Sequence, residues 1–230
     1  MIRDEIHMVE RKLLGQDEQV TSAIRFGCLP SMACNIVPAA IAEWRKAHAD
    51  VTLRVVNDVQ FSLLNALLRH QIDLFVGFTE NYNLLDGLRQ RVLFRDRLSI
   101  VARSGHPLFS ENNLTLNSLG GYPWVFLPSG PFNLKYEDML ESAGACLEKG
   151  SVVCDSMEML KALIMRSDHL GIMQVHTMKF EAEAGLLRDL PITIPEFNRN
   201  IAVFLREGSE LTVAERDLVT EIQTAGSAFA

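Results

Sequence analysis

Apolar positions along the chain fall into two alternating rhythms. Residues 24–29 read as a strand, after which Ile36, Val37, Ala40, Ile41 and Trp44 recur at helical spacing behind Ser31, a residue suited to capping a helix start. Residues 51–56, VTLRVV, read as a second strand with Thr52 and Arg54 on its wetter face, and Leu63, Leu64, Leu67 and Leu68 mark a second helix that ends near His70. The run 72–78, IDLFVGF, is almost wholly apolar, as a strand covered on both faces of a parallel sheet must be. Three strand-to-helix steps in succession predict an α/β fold with a doubly wound parallel sheet.

The rhythm changes at residues 92–103, VLFRDRLSIVAR, a long extended run broken by Arg95-Asp96-Arg97 and followed by a turn over 104–108. A strand of that length passes from one unit into another. A second alternation follows: strand at 124–127, helix at 134–147, strand at 152–154, a helix capped by Ser156, and a strand at 170–175. After Pro191 and Pro195 comes a strand at 201–205, and Thr212-Val213-Ala214-Glu215 is a capping box that opens a last helix with Leu218, Val219 and Ile222 as its buried stripe. Two α/β units joined by two extended crossings make a clamshell. Ahead of both, Ile2, Ile6, Val9 and Leu13 lie at helical spacing among charges, and Gly15 is placed to stop that helix.

Composition narrows the function. The chain has 230 residues, 48% hydrophobic and 22% charged, enough to bury a real core. No run approaches the roughly 18 apolar residues of a membrane span, and the charged start MIRDEIHMVERKLL lacks the apolar centre of a signal peptide, so a cytoplasmic protein without membrane contact is expected. Cys28, Cys34, Cys146 and Cys154 show neither metal-site nor disulfide-scaffold spacing and read as small buried hydrophobes. The net charge of −7 has the wrong sign for gripping nucleic acid. No nucleotide fingerprint, metal cage or nucleophile motif stands out, which predicts no catalytic residue, no metal and no cofactor.

The succession FGCLPSMACNIVPAAIAEWRKAHADVTLRVV, LLNALLRHQIDLFVGF, LSIVARSGHPL, YPWVFLPSG and LRDLP resembles the effector-binding domain of LysR-type transcriptional regulators over roughly residues 20–227. Asp73 and His106-Pro107-Leu108 stand where that family carries the same residues, whereas Ala49 replaces its usual proline. The resemblance implies a periplasmic-binding-protein-like (type 2) fold of two Rossmann-like subdomains, 22–95 plus 199–230 and 96–198, joined by two extended crossover strands. It implies that residues 1–20 end a linker helix from an N-terminal winged helix-turn-helix absent from this chain. It implies further that a small-molecule effector binds between the subdomains, that the domain forms a homodimer through the helices near 33–48 and 212–225, that the full-length protein is a tetramer, and that promoter DNA is met only through the missing N-terminal domain. The competing reading is a solute-binding protein of a transporter, which shares the clamshell; the missing export signal argues against it.

In open α/β sheets ligands lie beyond the carboxyl ends of strands, where helix starts present unpaired N–H groups. Ser31, Met32 and Ala33 follow the first strand, Gln60 and Phe61 the second, and Gly77, Phe78 and Thr79 end the third. From the other unit come Pro128, Ser129, Gly130 and Phe132, then Ser156 and Met157. Each has a plainer role available: Ser31 and Ser156 as helix caps, Gln60 as a solvated helix start, Phe78 and Phe132 as core, Gly77 and Gly130 as turn formers, Met32 and Met157 as gap fillers. None of the segments CLPSMAC, DVQF, VGFT, LPSGPF and SMEM carries Lys, Arg or His, which predicts an effector partly apolar or aromatic and at most weakly anionic, with Lys135 or His176 as the remote basic groups most able to change that.

Overall fold

The apolar run at 72–78 does become a strand buried on both faces, and the sheet is assembled around it. The structure is a computed structural model that describes residues 23–79, 87–128, 138, 140–142, 151–192, 194 and 198–229. Strand β1 (Ile24–Cys28) lies between β2 (Leu53–Asn57) and β3 (Leu74–Phe78), parallel to both. Asp73, just ahead of β3, holds it to β1: its Oδ2 accepts from the Arg25 backbone N–H at 2.9 Å and its Oδ1 from Arg25 Nη2 at 2.6 Å.

The helix expected across 33–48 is in fact two, α1 (Pro30–Ala33) and α2 (Ile36–Trp44). Leu29 rather than Ser31 caps α1, because Pro30 occupies the first helical position, where its missing N–H costs nothing. Helix α3 (Gln60–Leu68) covers the other face. Strand β2 departs from its predicted wet and dry alternation: at the edge of the sheet it leaves Val55 and Val56 exposed.

Strand β4 (Leu88–Arg103) is the long crossing. Its first part pairs antiparallel with β9 (Asn198–Arg206), from Leu88↔Arg206 to Arg97↔Asn198. Its last part pairs with β7 (Leu170–Gln174), beginning at Leu98↔Gln174, and with β8 (Leu187–Asp189), a strand the sequence pattern does not reveal. Beyond β7 lie β5 (Trp124–Phe126) and β6 (Val152–Val153), parallel to it and to each other, giving the order β2-β1-β3-β9-β4-β7-β5-β6. Helices α4 (Met157–Arg166) and α5 (Lys179–Glu183) belong to this second half, and α6 (Val213–Ser227) returns to the first. The expected helix over 134–147 falls largely outside the described residues, as does the segment 1–20.

One core spans the first half: Phe26, Phe75 and Phe204 lie with Trp44, Leu63, Leu218 and Ile222 in a single buried cluster. The apolar stripes of α2 and α6 therefore face their own sheet, and Trp44 Nε1 ties the two helices together by donating to the Ala214 carbonyl at 2.8 Å. The predicted capping box forms, with the Thr212 N–H donating to Glu215 Oε2 at 2.8 Å. The second half has two clusters, one around Trp124 and Leu119 and one around Val125, Leu160 and Ile164. His106 is structural: its Nδ1 accepts from the Leu108 N–H at 3.2 Å, and burial lowers its pKa.

Gly226 marks where α6 closes on the crossing strand. A Cβ there would lie 2.2 Å from Phe94 Cε1, inside the buried ring. Gly226→Ala is expected to destabilise the fold by about 1–3 kcal/mol through overpacking. Gly121→Ala, which meets nothing within 4 Å, is expected to stay within about 0.5 kcal/mol, with urea unfolding as the measurement.

Candidate functional site

The two halves meet at the carboxyl ends of their strands. Cys34, in the turn after α1, packs against the second-half cluster that includes Cys154, Met157 and the flanking Leu127 and Val175. Lys161 on α4, Glu158 in the first turn of that helix and Glu181 on α5 are close enough to act on its thiol electrostatically. Burial, opposed by the Lys161 charge, raises the Cys34 pKa, and burial pushes Cys28 up to about 12. Both are therefore thiols at neutral pH, not nucleophilic thiolates. Among the described residues no group of three or more His, Cys, Asp or Glu side chains is placed to hold a metal ion.

The residues expected from sequence divide into three groups. Ser31, Phe78 and Thr79 stand at the strand ends as anticipated. Helical geometry gives the first-turn amides of residues 31 and 32 no intrahelical acceptor, whereas the Ala33 N–H already donates to the Leu29 carbonyl at 3.2 Å. Thr79 N–H donates to the Asn200 carbonyl at 3.0 Å, which ties the end of β3 to the return crossing. Pro128 is exposed at the end of the β5 segment.

A second group is used for packing and fold. Met32 is fully buried in the first core and Met157 is buried in the second half. Gln60 is buried rather than solvated, because its side-chain amide clamps β3: Oε1 accepts from the Phe78 N–H at 2.9 Å and Nε2 donates to the Phe78 carbonyl at 2.6 Å. Gly77 is required by that clamp, since a Cβ would lie 2.5 Å from Gln60 Oε1. Ser156 caps α4, accepting from the Met159 N–H at 3.1 Å and donating to Glu158 Oε2 at 3.0 Å. Phe61, in the first turn of α3, is the exception in this group and is 66% exposed. The third group, Ser129, Gly130 and Phe132, lies outside the described residues, as does Lys135.

Charge at the strand ends differs from expectation. Arg199, the second residue of β9, places its guanidinium carbon 4.9 Å from the centre of the Phe78 ring. His176 follows β7 and is fully buried, and Asp96 on β4 is buried beside it. Lys161 reaches in from the middle of α4, although Glu181 Oε1 holds it at 2.6 Å. The local segments contain no basic residue; these basic side chains come from β9, from the turn after β7 and from α4. Applying the carboxyl-end rule to β7 as well as to the other strands would have pointed to residues 175–177. Asp96 is marked in the sequence only as part of the charged break Arg95-Asp96-Arg97 in the long extended run, and nothing local marks Arg199.

Residues 17–227 match the family described as the LysR substrate binding domain. The chain belongs to that family. It is 27% identical over 192 residues to the uncharacterized HTH-type transcriptional regulator YdcI of Escherichia coli, covering 83% of this chain and 62% of that protein. It is 26% identical over 207 residues to the HTH-type transcriptional regulator GalR of Pseudomonas putida, covering 89% of this chain and 52% of that one. The chain thus spans about half to three-fifths of the length of these relatives. The regulatory domain of MetR, a LysR family regulator from N. meningitidis, superposes with a TM-score of 0.69 at 17% identity, covering 90% of this chain and 95% of that one. The fold is accordingly the periplasmic-binding-protein-like type 2 fold of LysR regulatory domains. No described helix is long and apolar enough to cross a membrane.

The Gln60 clamp gives a direct test of how the LysR domain fixes this wall. Gln60→Ala removes both bonds to Phe78 and is expected to cost about 1–3 kcal/mol in chemical unfolding.

Proposed function

We propose that this LysR substrate binding domain senses a small-molecule effector for a cytoplasmic transcriptional regulator, with the ligand held between subdomains 22–95 plus 199–230 and 96–198. The observation that carries the reading is the convergence of the carboxyl ends of β1 and β3 with those of β5 and β7 on the paired crossings β4 and β9. Ligand sites in open α/β sheets occur at such strand ends. Promoter DNA is contacted by an N-terminal winged helix-turn-helix outside this chain, an arrangement that suits both the net charge of −7 and the greater length of the HTH-type relatives. The solute-binding alternative finds no support among those relatives, which carry the names of regulators. No chemical step is assigned to the domain.

Ligand binding shifts the regulator by favouring one arrangement of the halves, so the coupling equals the difference in affinity between arrangements. Flexing is placed at 95–97 and 198–200, where Arg95↔Asn200, Asp96↔Arg199 and Arg97↔Asn198 face one another. The effector is partly apolar and carries at most one carboxylate. Calorimetric titration is expected to show an aromatic monocarboxylic acid binding more tightly than fructose bisphosphate, and tighter binding of the bisphosphate would refute this.

The domain is proposed to dimerise through the outer faces of α2 and α6, because their apolar stripes are already committed to the core, and the full-length regulator to assemble as a tetramer. Light scattering at high micromolar concentration is expected to give twice the chain mass of 25.8 kDa. A monomer would count against this surface.

A further inference from the structure

Three ionisable side chains lie in a row where the crossing strands meet. Asp96 on β4 is the direct cross-strand partner of Arg199 on β9, and β7, which ends opposite Leu98 at Gln174, turns into a short 3-10 helix (Val175–Met178) that brings His176 back beside Asp96. Directly opposed residues of an antiparallel pair share a face, so Arg199 and Asp96 stand on one surface of the sheet, and His176 reaches Asp96 from the turn after β7. His176 Nε2 is 3.6 Å from Asp96 Oδ1, beyond hydrogen-bond length. The ring of Phe229, just past the end of α6, closes over His176 with centroids 6.0 Å apart.

The row is almost entirely buried, with Asp96 2%, His176 0% and Arg199 8% exposed. Even so, Asp96 Oδ2, both His176 ring nitrogens and Arg199 Nε have no hydrogen-bond partner. Buried polar atoms are nearly always satisfied, and several orphans gathered in one place call for a common partner. The orphans are of complementary kinds: an anionic acceptor in Asp96, a cationic donor in Arg199, and an imidazole able to do either. The row also lies at the innermost point of the site proposed above, since Arg199 sits beyond the end of β3 beside Phe78, and His176 beyond the end of β7.

Resting on that reading of the site, we propose that this row recognises the polar end of the effector, a monocarboxylic acid with a hydroxyl or amino donor on the carbon next to the carboxylate. The carboxylate pairs with Arg199, the donor bonds Asp96 Oδ2, and His176 bonds the remaining carboxylate oxygen. The apolar body of the ligand then points towards Leu127 and Val175. A dianionic phosphate is disfavoured by the Asp96 charge, and a simple fatty acid leaves Asp96 Oδ2 unbonded, which a buried acceptor does not tolerate.

The test uses the chain as described here and four probes of one shape: phenyllactate, phenylalanine, 3-phenylpropionate and phenylalaninamide, with lactate, alanine, leucine and 2-hydroxy-4-methylpentanoate as smaller bodies. Thermal shift and calorimetry are expected to show at least one 2-hydroxy or 2-amino acid binding about tenfold or more tightly than its unsubstituted acid or its amide. Arg199→Gln is expected to weaken that binding about tenfold or more, Arg199→Lys to weaken it less, and Asp96→Asn to erase the preference for the substituted acid. The hydroxy and amino arms separate the two sources of the donor. Circular dichroism and the melting temperature of each unliganded variant show that it folds, and Arg199→Lys serves if Arg199→Gln does not.

The proposal is overturned if no 2-substituted acid shifts the melting temperature at about 10 mM, or if folded Arg199 variants bind as the wild type does. If a broader small-molecule set contains a ligand that protects the ends of β3 and β7 from hydrogen exchange while these acids do not bind, the recognition proposed here fails and the effector-site reading stands. If no small molecule stabilises the domain, both fail.

Discussion

The antiparallel ladder between β4 and β9 carries the chain twice between the halves of the sheet, and its register decides which side chains can meet there. With Arg97 set opposite Asn198, Asp96 necessarily faces Arg199, and the turn that follows β7 at Gln174 brings His176 to within 3.6 Å of Asp96. A slip of one residue between β4 and β9 would set Asp96 and Arg199 on opposite faces. Phe94, two residues before Asp96 and on the same face, fixes the position of α6 through its contact at Gly226. The same ladder therefore sets both this row of polar side chains and the position of α6 against the crossing strand.

On either side of this ladder the chain is conventional in its energetics. Phe75 stacks on Phe204 with ring centroids 4.5 Å apart, joining β3 to β9, and Trp44 links α2 to α6. The seam between the halves is different. There a thiol, a buried carboxylate, an imidazole and a guanidinium stand among the apolar side chains, and the carboxylate, the imidazole and the guanidinium each have at least one atom with no partner. Apolar packing fills each half, whereas the seam between them holds polar groups that are not fully satisfied, and it is there that the rearrangement proposed above would act.

Much of the strand and helix order was legible because it follows from burial. The run LFVGF had to be a two-sided strand, the Thr212 to Glu215 box had to start a helix, and Leu218, Val219 and Ile222 had to face a core. The positions of Ser31, Phe78 and Thr79 at strand ends were legible from the chain order. What it does not disclose is the structural use of a polar or flexible side chain. Gln60 and Ser156 satisfy backbone groups, while Met32 and Met157 fill the core. The break between α1 and α2 was also missed, because periodicity registers a common buried face but not the turn at residues 34 and 35.

By itself the sequence determined the alternation of strands and helices, the parallel pairing of β1 with its neighbours and the long crossing, since each is a matter of local periodicity and of which residues tolerate water. Only the tertiary structure decided that β4 and β9 make the sheet mixed by pairing antiparallel, and which charges meet there. Asp96, His176 and Arg199 are separated by long stretches of chain, and none lies in a motif; they become neighbours through strand register and the turn after β7, properties of pairing between distant segments. An inventory of charge segment by segment finds no cation at these strand ends, and the fold supplies one from β9.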